Sequence, residues 1–168
     1  MIKITTQRLI LRPFQQDDLS ALHRLFSCPE VMRFSLNGPY SEEKTYALMN
    51  QCIEKSQQNQ ASLLAVIDKK NRQLIGSCGF FAQTIQGNDE LELGYRLIKS
   101  EWGKGLATEA ATAMKNYAFS EMRLTRLISI IEKDNLASLR VAEKNGFKLE
   151  KVMRYDGRIE VGIYAVNA

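Results

Sequence analysis

Between residues 90 and 120 the chain changes its period abruptly. Glu90 to Ile98 alternates as a strand. Leu91, Leu93, Tyr95 and Leu97 take one face, and Glu90, Glu92, Gly94, Arg96 and Ile98 the other. From about Leu106 to Ser120 the pattern is an alanine-rich helix, joined to that strand through Trp102-Gly103-Lys104-Gly105. Glycines let backbone N–H groups turn toward a ligand with no Cβ in the way. The helix adds about half a positive charge at its first turn. The junction Trp102-Gly103-Lys104-Gly105-Leu106-Ala107-Thr108 therefore suits a pyrophosphate, with Lys104 as a mobile cation. It is not a Walker A loop, because GxxxxGK[ST] is absent, and Thr108 breaks the dinucleotide pattern GxGxxG. A strand-to-helix turn that simply needs two glycines is the structural alternative.

The remaining segments fit around this unit. Gln7 to Arg12 reads as a strand stopped by Pro13, and Asp17 to Ser27 as a helix ended by Pro29. Ser41 caps a second helix running to about Gln58. Ser62 to Asp68 and Leu74 to Phe81 are apolar runs split by Lys69-Lys70-Asn71-Arg72, a hairpin signal. Gln86-Gly87-Asn88-Asp89 is a further turn. Arg126 to Glu132 is a strand and Asn135 to Asn145 a short helix that Gly146 stops. Phe147 to Met153 and Arg158 to Val166 form a final strand pair turning at Asp156-Gly157. The expected architecture is α/β (α+β), a mixed and mostly antiparallel sheet of about seven strands with about four helices. With no repeat or linker, residues 1–168 read as one domain.

Composition narrows the function classes. No stretch approaches the ~20 apolar residues of a membrane span, and the N-terminus lacks a secretory pattern. Cys28, Cys52 and Cys78 are scattered and the lone histidine is His23, which disfavours a metal site or a disulfide framework. A reducing, cytoplasmic setting is expected. The net charge of +4 favours an anionic partner, for which a polyphosphate cofactor suffices; dispersed charges do not demand nucleic acid. His23 reads as structural and Cys78 as a buried, inert thiol.

Several segments, in order along nearly the whole chain, resemble the GNAT superfamily of N-acetyltransferases, and most closely its ribosomal-protein N-terminal acetyltransferase branch. Thr6-Gln7-Arg8-Leu9-Ile10-Leu11-Arg12-Pro13-Phe14 resembles the opening strand. Ile75-Gly76 and Gly79-Phe80 resemble the third strand, and Glu92-Leu93-Gly94-Tyr95 the fourth. Trp102 to Ala110 is similar to the cofactor loop, with Gly105 and Ala107 at its small positions and Trp102 where glutamine or arginine is usual. Asn135-Leu136-Ala137-Ser138 and Glu143-Lys144-Asn145-Gly146-Phe147 resemble the fourth helix and the strand after it.

The resemblance implies acetyl-CoA as cosubstrate and a primary amine as acceptor, either a protein N-terminus or a small amine. Residues 102–108 would hold the pyrophosphate, and Asn135 would contact pantetheine, cap its helix, or both. Glu92 would act as base, with Glu90 a weaker candidate. A backbone donor near Leu97 and Ile98 would face the reacting carbonyl. The tyrosine many members carry on the fourth helix falls at Ala142 here, which leaves Ser138 to serve the departing thiolate. Trp102 either shields the cofactor or packs in the core, with packing preferred. Arg12, Arg33, Arg96 and Arg140 are candidates for substrate or for the CoA 3′-phosphate. A non-catalytic acetyl-CoA-binding regulator and an RNA-bound accessory protein are the competing classes. Monomer and homodimer stay open.

Overall fold

The computed structural model describes residues 2–168. Its strands are β1 (Ile4–Thr5), β2 (Leu9–Arg12), β3 (Leu63–Asp68), β4 (Leu74–Ile85), β5 (Asn88–Leu97), β6 (Arg126–Ile131), β7 (Lys148–Tyr155) and β8 (Ile159–Asn167). Its α-helices are α1 (Leu19–Phe26), α2 (Glu42–Gln57), α3 (Leu106–Ser120) and α4 (Leu136–Lys144). The strands form one sheet in the order β1-β2-β3-β4-β5-β6-β8-β7. The order of elements follows the sequence expectation. The eighth strand is β1, a two-residue ribbon edge that no alternation could announce.

β2 and β3 are apolar on both faces because both faces are covered. Leu9, Leu11, Leu64 and Val66 join Ala110, Met114 and Ala118 of α3 and Ala142 of α4 in one core. Ile10, Leu63, Ala65 and Ile67 join Leu22, Leu25 and Phe26 of α1 and Met49 of α2 in the other. The sheet thus separates an α3/α4 side from an α1/α2 side.

β4 runs four residues past the expected end at Phe81, and the β4–β5 turn shrinks to Gln86-Gly87. Both turn residues have positive φ, 51° and 82°, and Ile85 pairs with Asn88. Two left-handed residues give a tight hairpin whose twist matches its strands. This extension brings Gln83 into the sheet opposite Glu90.

The seam between β5 and β6 breaks the pattern. It is the parallel junction in the sheet, and only Glu92 and Ile128 are in register across it. Beyond that point the Ser129 hydroxyl donates to the Leu93 carbonyl at 2.9 Å, and then the strands part. The gap makes an opening through the sheet from one helical side to the other.

Candidate active site

A cleft of about 930 Å³ occupies this opening. Every residue of the expected set lies on its wall except Ile98 and Lys104. Leu97, Trp102, Gly103, Gly105, Leu106, Ala107, Thr108, Asn135 and Ser138 line it, as does Glu92.

On the α3/α4 side, the glycine loop turns as the sequence requires. Gly103 and Gly105 have φ of 74° and 77°, and Gly105 caps α3. The first intrahelical bond runs from Glu109 N–H to the Gly105 carbonyl, so the preceding N–H groups of the first turn stay without helical partners. Lys104 is less free than expected, because its ammonium pairs with Glu101 at 3.0 Å. The loop is anchored from outside its own segment. Arg8 Nη1 donates to the Lys104 carbonyl at 2.8 Å, and Arg8 Nε donates to Glu109 at 2.7 Å. Thr6 Oγ1 donates to the same carboxylate at 2.6 Å. Burial pushes the Glu109 carboxyl up, but these hydrogen bonds outweigh it and hold the group below its ordinary value. The Thr6-Gln7-Arg8 and WGKGLATEA motifs, about a hundred residues apart, are thus two halves of one clamp.

Trp102 does not pack in the core. It is 48% exposed on the cleft wall, and its indole N–H donates to the Leu97 carbonyl at 2.9 Å. The backbone donor expected near Leu97 and Ile98 also resolves to one residue. Ile98 N–H donates to the Ile75 carbonyl at 2.8 Å and faces β4. Antiparallel alternation then turns the N–H groups of Tyr95 and Leu97 the other way, into the opening.

On α4, Asn135 caps the helix, its Oδ1 accepting from Ser138 N–H at 3.3 Å. Ala142 is buried in the core at 1% exposure and touches no cleft. Tyr95 supplies a phenol nearby that the sequence did not offer for this purpose. Its hydroxyl donates to the Ser138 carbonyl at 2.9 Å and ties β5 to α4 across the gap. Burial pushes its pKa up, so it stays a neutral donor.

The α1/α2 side holds the base candidate. Gln83 Nε2 donates to Glu92 Oε2 at 2.7 Å, and Tyr155 OH donates to Gln83 Oε1 at 3.0 Å. Burial pushes the Glu92 carboxyl above its ordinary value, against the hydrogen bond from Gln83 and the charge of Arg96. A raised carboxylate is a better proton acceptor at neutral pH. Neither Gln83 nor Tyr155 was singled out from sequence, because both sit beyond the expected ends of their strands. Glu90 is excluded as a cleft base: Arg126 holds it at 3.0 Å and also grips Glu150 at 2.6 Å. Of the four arginines, Arg12 pairs with Asp18 away from the cleft, whereas Arg33, Arg96 and Arg140 line it. His23 Nδ1 lies 3.2 Å from Thr45 Oγ1, joining α1 to α2. Cys78 is fully buried and its thiol is pushed far up by burial, which makes it inert.

A parted parallel seam, a glycine-headed helix on one side and a raised carboxylate on the other form one working unit. Residues 8–148 match the family described as acetyltransferase (GNAT) domain. This chain belongs to the GNAT family of acetyltransferases. The uncharacterized N-acetyltransferase p20 of Bacillus licheniformis is 32% identical, over 92% of this chain and 86% of the relative. Among solved structures, the GNAT-family acetyltransferase from Bacillus anthracis superposes with a TM-score of 0.84 at 28% identity, covering 99% and 98% of the two chains. RimL, a ribosomal L7/L12 α-N-protein acetyltransferase in complex with coenzyme A, gives 0.82 at 25% identity, covering 99% and 98%. The protein is therefore an N-acetyltransferase, and no helix among its described residues is long and apolar enough to cross a membrane.

Proposed function

We propose that this acetyltransferase moves the acetyl group of acetyl-CoA directly to a primary amine, with both substrates bound in the opened β5–β6 seam. The observation that carries this reading is the seam itself, reached by the glycine loop from one side and by Glu92 from the other. The fit to coenzyme A rests on the residues present. The glycine turn and first-turn N–H groups suit a pyrophosphate, the Leu97 N–H faces an open channel, and Arg140 and Lys144 line the mouth. When bound, acetyl-CoA supplies the acetyl group as a thioester.

This chain's residues divide the remaining work. Glu92 takes a proton from the acceptor ammonium, directly or through water, and Gln83 fixes which carboxylate oxygen is free. The Leu97 N–H stabilises charge that develops on the carbonyl oxygen. The Ser138 hydroxyl, on the first turn of α4, serves the departing sulfur. An α-amine, with a pKa near ~7.7–8.0, keeps an appreciable neutral fraction at cytosolic pH, whereas a lysine-like amine near ~10.4 does not. One carboxylate with modest basicity therefore fits an α-amine, including a protein N-terminus, in a cytoplasmic setting. The likeness to a ribosomal-protein acetyltransferase supports the same reading.

The test is thiol release from acetyl-CoA with ribosomal-protein N-terminal peptides, amino acids, polyamines and aminoglycosides. Amine-dependent release, lost in Glu92→Gln and slowed in Ser138→Ala, is the expected result. Both variants at full activity overturn the residue roles. Failure to bind acetyl-CoA overturns the function.

A further inference from the structure

Three arginines of this protein are not fully exposed: Arg12, Arg96 and Arg126. Arg12 is paired with Asp18, and Arg126 with Glu90 and Glu150. Arg96 has no carboxylate within ion-pair distance among the described residues. Its guanidinium makes one hydrogen bond, from Nη2 to Ser35 Oγ at 3.3 Å, and lies 5.8 Å from the centre of the Phe26 ring. A guanidinium has five N–H donors and keeps its charge in proteins. Half-burying it with no ion-paired carboxylate, and only the charge of Glu92 farther along the strand to offset it, leaves its donors open to a partner. Burial already lowers its hold on the proton.

The position of Arg96 says what that partner is. It projects from the same face of β5 as Glu92, four residues and roughly 14 Å of strand away. Between them stands Gly94, which has no side chain, and the Phe81 ring lies against it so closely that a Cβ there would come within 2.8 Å. The wall between base and guanidinium is thus a shallow track floored by glycine and an aromatic ring. The other charges on this wall do not favour a polycation. Glu30 is paired with Lys99 and Glu101 with Lys104, and Arg33, Arg140 and Lys144 add further cations. Glu132 is the one carboxylate of the lining besides Glu92 that has no ion pair among the described residues. Glu42, Glu43 and Glu54 of α2 stay outside the cleft.

We propose that Arg96 is a carboxylate subsite, so that the acceptor of this acetyltransferase is an amine that carries its own carboxylate. The amine lies toward Glu92, and the carboxylate meets the free edge of the Arg96 guanidinium as a charge-assisted, two-pronged pair. The inference rests on the acetyl-transfer reading above and narrows it. A free amino acid and a peptide with an acidic first residue present the same chemistry.

The experiment compares acid and amide pairs. Acceptors are glutamate against its diamide, the peptide amide Asp-Ala-Ala against Asn-Ala-Ala, and spermidine. Wild type should favour each acid over its amide by tenfold or more in kcat/KM, and leave spermidine behind. The pair that shows the larger gap names the source, amino acid or peptide. Arg96→Ala should erase the gap while acetyl-CoA still binds, and Arg96→Lys should restore part of it. Arg96→Met, which keeps packing on Phe26, replaces the alanine variant if that one loses acetyl-CoA binding. Calorimetry of each acceptor with the desulfo-coenzyme A complex reads the subsite without turnover. Acids that bind there through Arg96 but release no thiol from acetyl-CoA would sink the transfer reading and leave the subsite standing. Turnover that favours the amides or spermidine, or an acid preference that survives Arg96→Ala, would overturn the subsite and leave the transfer reading intact.

Discussion

The two sides of the sheet build their halves of the cleft by different means. The α3/α4 side uses backbone. Two glycines, a helix terminus and a turned strand N–H make up most of it, Ser138 adds one hydroxyl, and side chains such as Arg8, Glu109, Trp102 and Tyr95 hold that backbone in place. The α1/α2 side uses side chains from separate elements: Glu92 and Arg96 from β5, Gln83 from β4, Tyr155 from β7 and Ser35 from the segment between α1 and α2. A backbone site is generic for one ligand, whereas a side-chain site is free to change its acceptor. In the proposed reading the shared cosubstrate and the individual acceptor fall on opposite sides of one sheet.

The strongest blow to this contrast is Glu92→Gln. It should cut kcat/KM by about 100-fold or more while acetyl-CoA binding, read by calorimetry, stays intact. The same variant should be more stable than wild type at neutral pH. Burial raises the Glu92 carboxyl in the folded state, so ionising it there costs stability, and that cost disappears as pH falls through the raised value toward the ordinary one. Thermal melts across pH check the sign, and the acid limb of the rate profile should sit above the usual carboxylate range.

Gly105→Val should do the reverse of Glu92→Gln. A left-handed φ of 77° costs a β-branched residue about 1–2 kcal/mol, so acetyl-CoA should bind roughly tenfold more weakly, with little change in the KM of the acceptor.

Glu109→Ala tests whether the loop is held from afar. Leaving the Thr6 and Arg8 donors unmet should cost about 1–3 kcal/mol in a denaturant melt and weaken acetyl-CoA binding as well. A loss of stability without a loss of cosubstrate affinity would reduce the clamp to a brace. In wild type this contribution is present above the ordinary carboxylate value and is lost as pH falls through the lowered folded one.

Trp102→Phe is the mildest probe. It removes one hydrogen bond to Leu97, worth about 0.5–1.5 kcal/mol, and should raise the acetyl-CoA KM about threefold.

What could be read in advance follows the same division. The sequence alone determined the order of strands and helices, the glycine junction, the cap at Asn135 and the alternation that puts Glu92 and Arg96 on one face. Each is a local matter of side-chain period or backbone freedom, set by neighbours within a few residues. The tertiary structure decided the rest. It chose the two-residue turn at Gln86-Gly87 over a longer one, and so carried Gln83 to Glu92. It exposed Trp102, tied Glu90 to Arg126, and joined Arg8 to a loop about a hundred residues away. It also left Arg96 half-buried, hydrogen-bonded to Ser35 and with no carboxylate within ion-pair distance among the described residues. Pairings and partnerships of this kind depend on which strands lie side by side and in what register, and the side-chain period of a single element does not report that.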